Sequence, residues 1–176
     1  MSVTSRISRD EPGWLLEFEE TYDTDAADLW SALTEPGRLA RWMAGYRGDL
    51  RLGGHWQALG VDGDVYCDGV VEACDPPHGF TTTWVVVGEH PSRVTVTLEA
   101  AGSEAERRGA ADAARTVLRL RHEQVAQAGT APGWHAYLEA LHGHLADPTA
   151  ARDRAAWLAR FDALRPEYAA RYAELG

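Results

Sequence analysis

The side chains of this sequence that could do chemistry are histidines, tyrosines and carboxylates at strand or helix spacing. His122 falls in an alternating segment, Thr116 to Val125, and Tyr137 in a helical one, Gly133 to Ala146. An imidazole can exchange a proton near neutrality, and a tyrosine hydroxyl can hold an oxyanion. They are the candidate acid–base residues, weighed against His122 as a hydrogen-bonded core histidine. His135, Glu139 and His142 share a second stripe of the same helix, a set of metal-ligand types. That stripe lies to the side of the apolar one and lacks the HExxH spacing, so a solvated flank is expected, with no metal and no cofactor. Tyr66, Cys67 and Asp68 are adjacent on a strand and cannot all face inward. No nucleophile elbow, phosphate loop, dinucleotide fingerprint or catalytic triad is legible. Whether the protein is an enzyme stays open.

The elements that position these residues follow from periodicity. In GWHAYLEALHGHLA, Trp134, Leu138, Leu141 and Leu145 form one apolar stripe of a helix, with Pro132-Gly133 ahead and Asp147-Pro148 behind. Before it come strand-like segments: Trp14 to Tyr22, Asp49 to Leu59 with a Gly53-Gly54 kink, Val65 to Ala73, Phe80 to Val87, Arg93 to Ala100 and Thr116 to Val125. Two short helices, Ala26 to Leu33 behind a Thr24-Asp25 cap and another from Pro36 to about Trp42-Met43, follow the first of these. The pattern gives an α+β fold: a sheet of about six antiparallel strands with a long helix across its open face. Three stretches are expected: a loose lead-in at 1–13, a domain at 14–146 and a helical tail at 147–176. Within the tail, Thr149 to Leu164 reads as one helix and Glu167 to Leu175 as another, separated at Pro166. The tail packs on the sheet or the main helix, with a second copy of the chain as the alternative, so a homodimer through the tail is the second expectation. Residues 101–115 read as an extended hairpin loop, with a helical turn inside it or disorder as the alternatives.

Composition narrows the partners. At 176 residues and 45% hydrophobic, the chain can bury one good core. A net charge of -10 repels phosphate backbones, so no nucleic acid is expected, and the Arg107-Arg108, Arg115, Arg119 and Arg121 cluster is interleaved with acids. No apolar run nears the roughly 20 residues of a membrane span, so no membrane partner and a cytoplasmic location are expected. Cys67 and Cys74 are then reduced thiols. Seven tryptophans, one in nearly every element, suit a core or the wall of an apolar pocket.

Order and spacing of several landmarks resemble the SRPBCC (START-like, helix-grip) superfamily, and most of all its branch named after the activator of a heat-shock chaperone's ATPase. The resemblance rests on Leu29-Trp30, Leu33-Thr34, Pro36, Trp42, Gly53-Gly54 with Trp56, Gly69-Val70, Pro76-Pro77, Trp84, His122 and Gly133-Trp134 with Leu138 and Leu141. It implies a curved antiparallel sheet wrapped around the long helix, with a hydrophobic cavity between them. The 101–115 loop and the tail depart from the usual pattern, so ligand size does not carry over.

The expected function is binding of a hydrophobic or aromatic small molecule in that cavity. The candidate wall is Trp42, Met43, Trp56, Tyr66, Trp84, Val86, His122, Trp134, Tyr137, Leu138 and Leu141. One alternative is an enzyme of the same fold, of cyclase, dehydratase or hydrolase type, working on a polyketide-like substrate through His122 or Tyr137. Another is a co-chaperone or protein-interaction module.

Overall fold

A strand turns its side chains alternately to two faces, and eight strands of this chain keep one apolar face toward a single helix. In the computed structural model, which describes residues 3–102 and 114–175, the strands are β1 (Thr4–Asp10), β2 (Gly13–Tyr22), β3 (Gly45–Gly48), β4 (His55–Leu59), β5 (Val65–Asp75), β6 (Gly79–Val86), β7 (Ser92–Ala100) and β8 (Thr116–Val125). They form one sheet in the order β1-β2-β8-β7-β6-β5-β4-β3, each pair antiparallel. The helices are α1 (Ala26–Thr34), α2 (Pro36–Trp42), α3 (Thr130–Ala146) and α4 (Arg154–Leu175). The α+β helix-grip architecture expected from the sequence is present, with eight strands in place of about six.

The two additional strands have short or weak apolar patterns. β1 occupies the stretch expected to be a loose lead-in, but only Ile7 of its seven residues is buried. Pairing with β2 holds it, and Arg9 stacks over the Trp14 ring at 4.0 Å. β3 is four residues long and pairs with β4. The segment expected to be a strand from Asp49 starts only at His55, because Gly53 at φ +76° turns the chain first. Gly69 has a different reason for being glycine: a Cβ there would collide with the Thr83 carbonyl oxygen and sit 2.6 Å from the Trp56 ring.

Capping and burial explain the helices. Asp25 Oδ1 accepts from the Asp28 amide at 2.8 Å, starting α1 where the sequence placed its cap. α3 starts at Thr130, three residues before Gly133, and Pro132 sits in its first turn, where no N–H is needed. Its buried face carries Trp134, Leu138 and Leu141 against the sheet, and the Tyr22 hydroxyl donates to Leu138 O at 2.9 Å.

The tail is one helix, not two: Pro166 lies inside α4. Its buried residues on both sides of the proline, Leu164, Tyr168 and Tyr172, anchor it to the domain, which outweighs the lost backbone hydrogen bond. Tyr168 Oη is 2.9 Å from both Ser5 Oγ on β1 and His135 Nδ1 on α3. Trp14 meets Tyr172 edge to face at 4.9 Å. Leu164, Tyr168 and Tyr172 of the tail are thus covered within their own chain, whereas Leu158 and Leu175 stay exposed. Within the 101–115 loop, residues 103–113, including Arg107 and Arg108, lie outside the described residues.

Tyr168→Phe removes the hydroxyl that serves Ser5 and buried His135. It is expected to cost about 1–3 kcal/mol, read as a fall of roughly 2–4 °C in melting temperature per kcal/mol for a chain of this size. An unchanged melting temperature contradicts that anchoring.

Candidate functional site

Between the concave face and α3 the side chains leave an apolar cavity of about 60 Å³. One wall is a run of aromatic rings drawn from four elements. Tyr46 of β3 lies 5.7 Å from Trp56 of β4, Trp56 lies 5.1 Å from Trp84 of β6, and Trp84 lies 5.2 Å from Trp134 of α3. The opposite side comes from Leu33, Leu39, Trp42 and Met43 of the α1–α2 region, and the floor from Val94, Val96, Leu118 and Leu120.

The polar side-chain atoms of Trp42, Trp56, Thr82 and Thr34 in this wall are committed to protein partners. Trp42 Nε1 donates to Ala32 O at 3.0 Å. Trp56 Nε1 donates to Thr82 Oγ1 at 2.7 Å, and that hydroxyl in turn lies 3.0 Å from Val70 O. The other threonine of the lining, Thr34, donates to Trp30 O at 2.8 Å. What these groups offer the cavity is ring and methyl surface, suited to an apolar guest.

His122 is the hinge of the polar network behind the wall. Trp134 Nε1 donates to His122 Nδ1 at 3.0 Å, so Nδ1 is the acceptor and the proton of the neutral ring sits on Nε2. His122 Nε2 is 2.8 Å from Ser92 Oγ, which donates to Trp84 O at 2.8 Å. The chain Trp134, His122, Ser92, Trp84 is complete with the imidazole neutral. Burial, at 2% exposure, pushes the His122 pKa down to about 3.

Of the eleven wall residues expected from sequence, Trp42, Met43, Trp56, Trp84, Trp134 and Leu138 line the cavity. Leu141 is fully buried in the core instead, and His122 sits behind Trp134 and Trp84. Tyr66 and Val86 pack beside the Trp56 cluster. Tyr137 turns away toward α4, stacked on Trp157 at 4.6 Å and hydrogen-bonded by Arg152. The two candidate acid–base residues are therefore not brought together, and neither borders the cavity. Val94, Val96, Leu118 and Leu120 complete the floor. Their alternation was visible in the sequence, but not which end of each strand the helix leaves uncovered.

The His135, Glu139 and His142 stripe is also divided. His135 is covered by the tail, not solvated, because Tyr168 closes over it. Glu139 is held by Arg160 at 2.6 and 2.8 Å and lies 3.2 Å from His135. His142 points elsewhere, 3.3 Å from buried Glu20. Among the described residues no group of three or more His, Cys, Asp or Glu side chains could hold a metal ion. The described part of the basic cluster is neutralised: Arg115 pairs with Asp23, Arg119 with Glu19 and Glu99, and Arg121 with Glu17 and Glu123.

Residues 23–146 match the family described as activator of Hsp90 ATPase homolog 1-like protein. The chain belongs to this family. Its members' helix-grip fold recurs in solved structures. CalU16 from Micromonospora echinospora is 24% identical in its crystal structure, covering 93% of this chain and 96% of that one, with a TM-score of 0.68. The solution structure of CalU16 superimposes over 100% of this chain and 99% of that one, at 21% identity and a TM-score of 0.73. DynU16, a protein of the dynemicin biosynthetic locus, is 21% identical and covers 79% of this chain but 49% of its own, with a TM-score of 0.64. No curated protein matches the chain. Like these relatives' fold, the family architecture here is compatible with small-molecule binding, and no helix among the described residues is long and apolar enough to cross a membrane.

The neutral His122 carries a pH prediction. Its folded pKa lies near 3 and the unfolded value near 6.5, so the unfolded chain binds the extra proton between those pH values. Its contribution therefore lowers stability as pH falls from about 6.5 toward 3, by at most about 1.4 kcal/mol per pH unit. Ring-nitrogen NMR should show the Nε2–H tautomer of His122 without titration down to about pH 4. Titration near pH 6.5 contradicts the network.

Proposed function

We propose that the protein binds a hydrophobic or aromatic small molecule in the cavity between the sheet and α3. The observation that carries this is an unfilled apolar space whose named polar wall groups, at Trp42, Trp56, Thr34 and Thr82, are all engaged with the protein. A packed interior would have closed it. A pocket that encloses a drug-sized ligand measures roughly 300–1,000 Å³, so the 60 Å³ seen here is that of a closed state. A guest of several rings enters as the α2–β3 side moves outward; β3 is the terminal strand of the sheet, with β4 as its one strand neighbour and α2 packed beside it. DynU16's place in a biosynthetic locus supports a small-molecule reading of the fold.

Catalysis through His122 or Tyr137 draws no support from the geometry. Both ring nitrogens of His122 are hydrogen-bonded, and Tyr137 is stacked under Trp157. The co-chaperone reading has the family's description behind it, and no feature of this chain favours it over the cavity. The tail buries Leu164, Tyr168 and Tyr172 against its own chain and leaves only Leu158 and Leu175 as exposed large apolar side chains, a small surface for a tail-mediated homodimer.

Naphthalene is expected to quench the tryptophan fluorescence saturably. Val96→Phe, which fills the floor at a cost of about 1–3 kcal/mol, is expected to weaken that binding by more than about tenfold. Equal affinity in a folded Val96→Phe variant places the ligand elsewhere.

A further inference from the structure

A second space lies on the other side of Trp42, in the groove between α2, α3 and the start of α4, and measures about 390 Å³. Small residues make its floor: Ala136, Ala140 and Gly143 of α3 face Ala150, Ala151 and Ala156. Helices normally fill such a seam with interlocking side chains. Here the facing floor positions are alanine and glycine, and the long side chains stand at the rim.

The rim is unusual in its polar atoms. Six buried side-chain polar atoms among the described residues have no hydrogen-bond partner, and His144 Nδ1, Arg152 Nε and Trp157 Nε1 are three of them. All three residues border this groove. Each atom is a donor. An indole N–H and a guanidinium Nε–H can only donate. His144 Nε2 accepts from Arg38 Nε at 3.3 Å, which leaves the proton on Nδ1, and His144 is only 4% exposed. Buried donors are costly to leave unpaired, and three around one space call for a group made of acceptors.

Charge points the same way. Arg160 is neutralised by Glu139, and Asp153 Oδ1 is used to cap α4 through the Ala156 amide. Arg41 donates to Thr149 O. Arg152 has a neutral neighbour, the Tyr137 hydroxyl, and no carboxylate partner among the described residues. Arg41, Arg152 and Arg160 against Glu139 and Asp153 leave one net positive charge on this groove of a chain whose net charge is -10.

We propose that the groove is a binding site for a small organic carboxylate, which draws the covered donors of Arg152, Trp157 and His144 toward its oxygens by side-chain rotation while its carbon skeleton lies on the alanine floor beside Trp42. This site is separate from the apolar cavity and stands whether or not that cavity binds a guest. A carboxylate supplies acceptors and one negative charge without adding a donor.

The test is titration of the full chain with sodium benzoate, followed by proton–nitrogen NMR of the tryptophan indoles and arginine Nε–H groups. The expected result is saturable movement of the Trp157 and Arg152 signals. Arg152→Met should weaken binding by about tenfold or more, the range of a charge-assisted hydrogen bond. Trp157→Phe, which keeps a ring and removes only the N–H, should weaken it several-fold, and inorganic phosphate should bind more weakly than benzoate. Static Trp157 and Arg152 signals overturn the proposal. So do unchanged affinity in Arg152→Met, phosphate binding as tight as benzoate, or movement confined to Trp56 and Trp134, which would put benzoate in the apolar cavity.

Discussion

A buried indole N–H needs an acceptor, and the way Trp134 finds one fixes how α3 sits on the sheet. Its hydrogen bond to His122 Nδ1 joins helix to β8, and Ser92 carries the connection through β7 to the Trp84 carbonyl on β6. A hydrophobic interface alone is non-directional and would let the helix slide or rotate. This one polar thread supplies direction. It is satisfied only when the imidazole is neutral, so desolvation and hydrogen bonding reinforce each other.

That constraint has a consequence for the cavity. With Trp134 held from behind through its indole N–H, its face rather than its polar edge forms the wall, and the rings of Trp84, Trp56 and Tyr46 extend it across the sheet. The helix is gripped at Trp134 and, one turn further on, by Tyr22 at Leu138. Space is left where the floor residues are aliphatic and short, at Val94, Val96, Leu118 and Leu120. The same atoms that make the fold definite therefore leave the site apolar, which fits retention of a guest better than turnover.

Much of this was legible in the sequence. The apolar stripe of α3, the Asp25 cap and the alternation in β2, β7 and β8 are local patterns with a local cause. β1 was not legible, because one buried isoleucine gives no period, and its stability comes from a partner strand and a helix more than 140 residues away. Pro166 misled for a related reason: a proline's local preference was outweighed by tertiary burial on both sides of it. At the site, six of the tryptophan and aliphatic wall residues were recognisable by type. His122 was placed on the correct face, but its role depends on which groups stand at both nitrogens, and no spacing rule brings Ser92, His122 and Trp134 together. Tyr137 was one helical position too far round, and its partners belong to α4, beyond the reach of periodicity.

Binding of an apolar guest requires the space between sheet and helix to be empty and apolar. Xenon tests this directly, since it is compact, uncharged and enters dry cavities. In crystals held under xenon pressure, one ordered atom should appear among Val94, Val96, Leu118 and Leu120, in contact with Trp134 and Leu138. Absence of xenon there, or ordered water in its place, would contradict an apolar binding cavity.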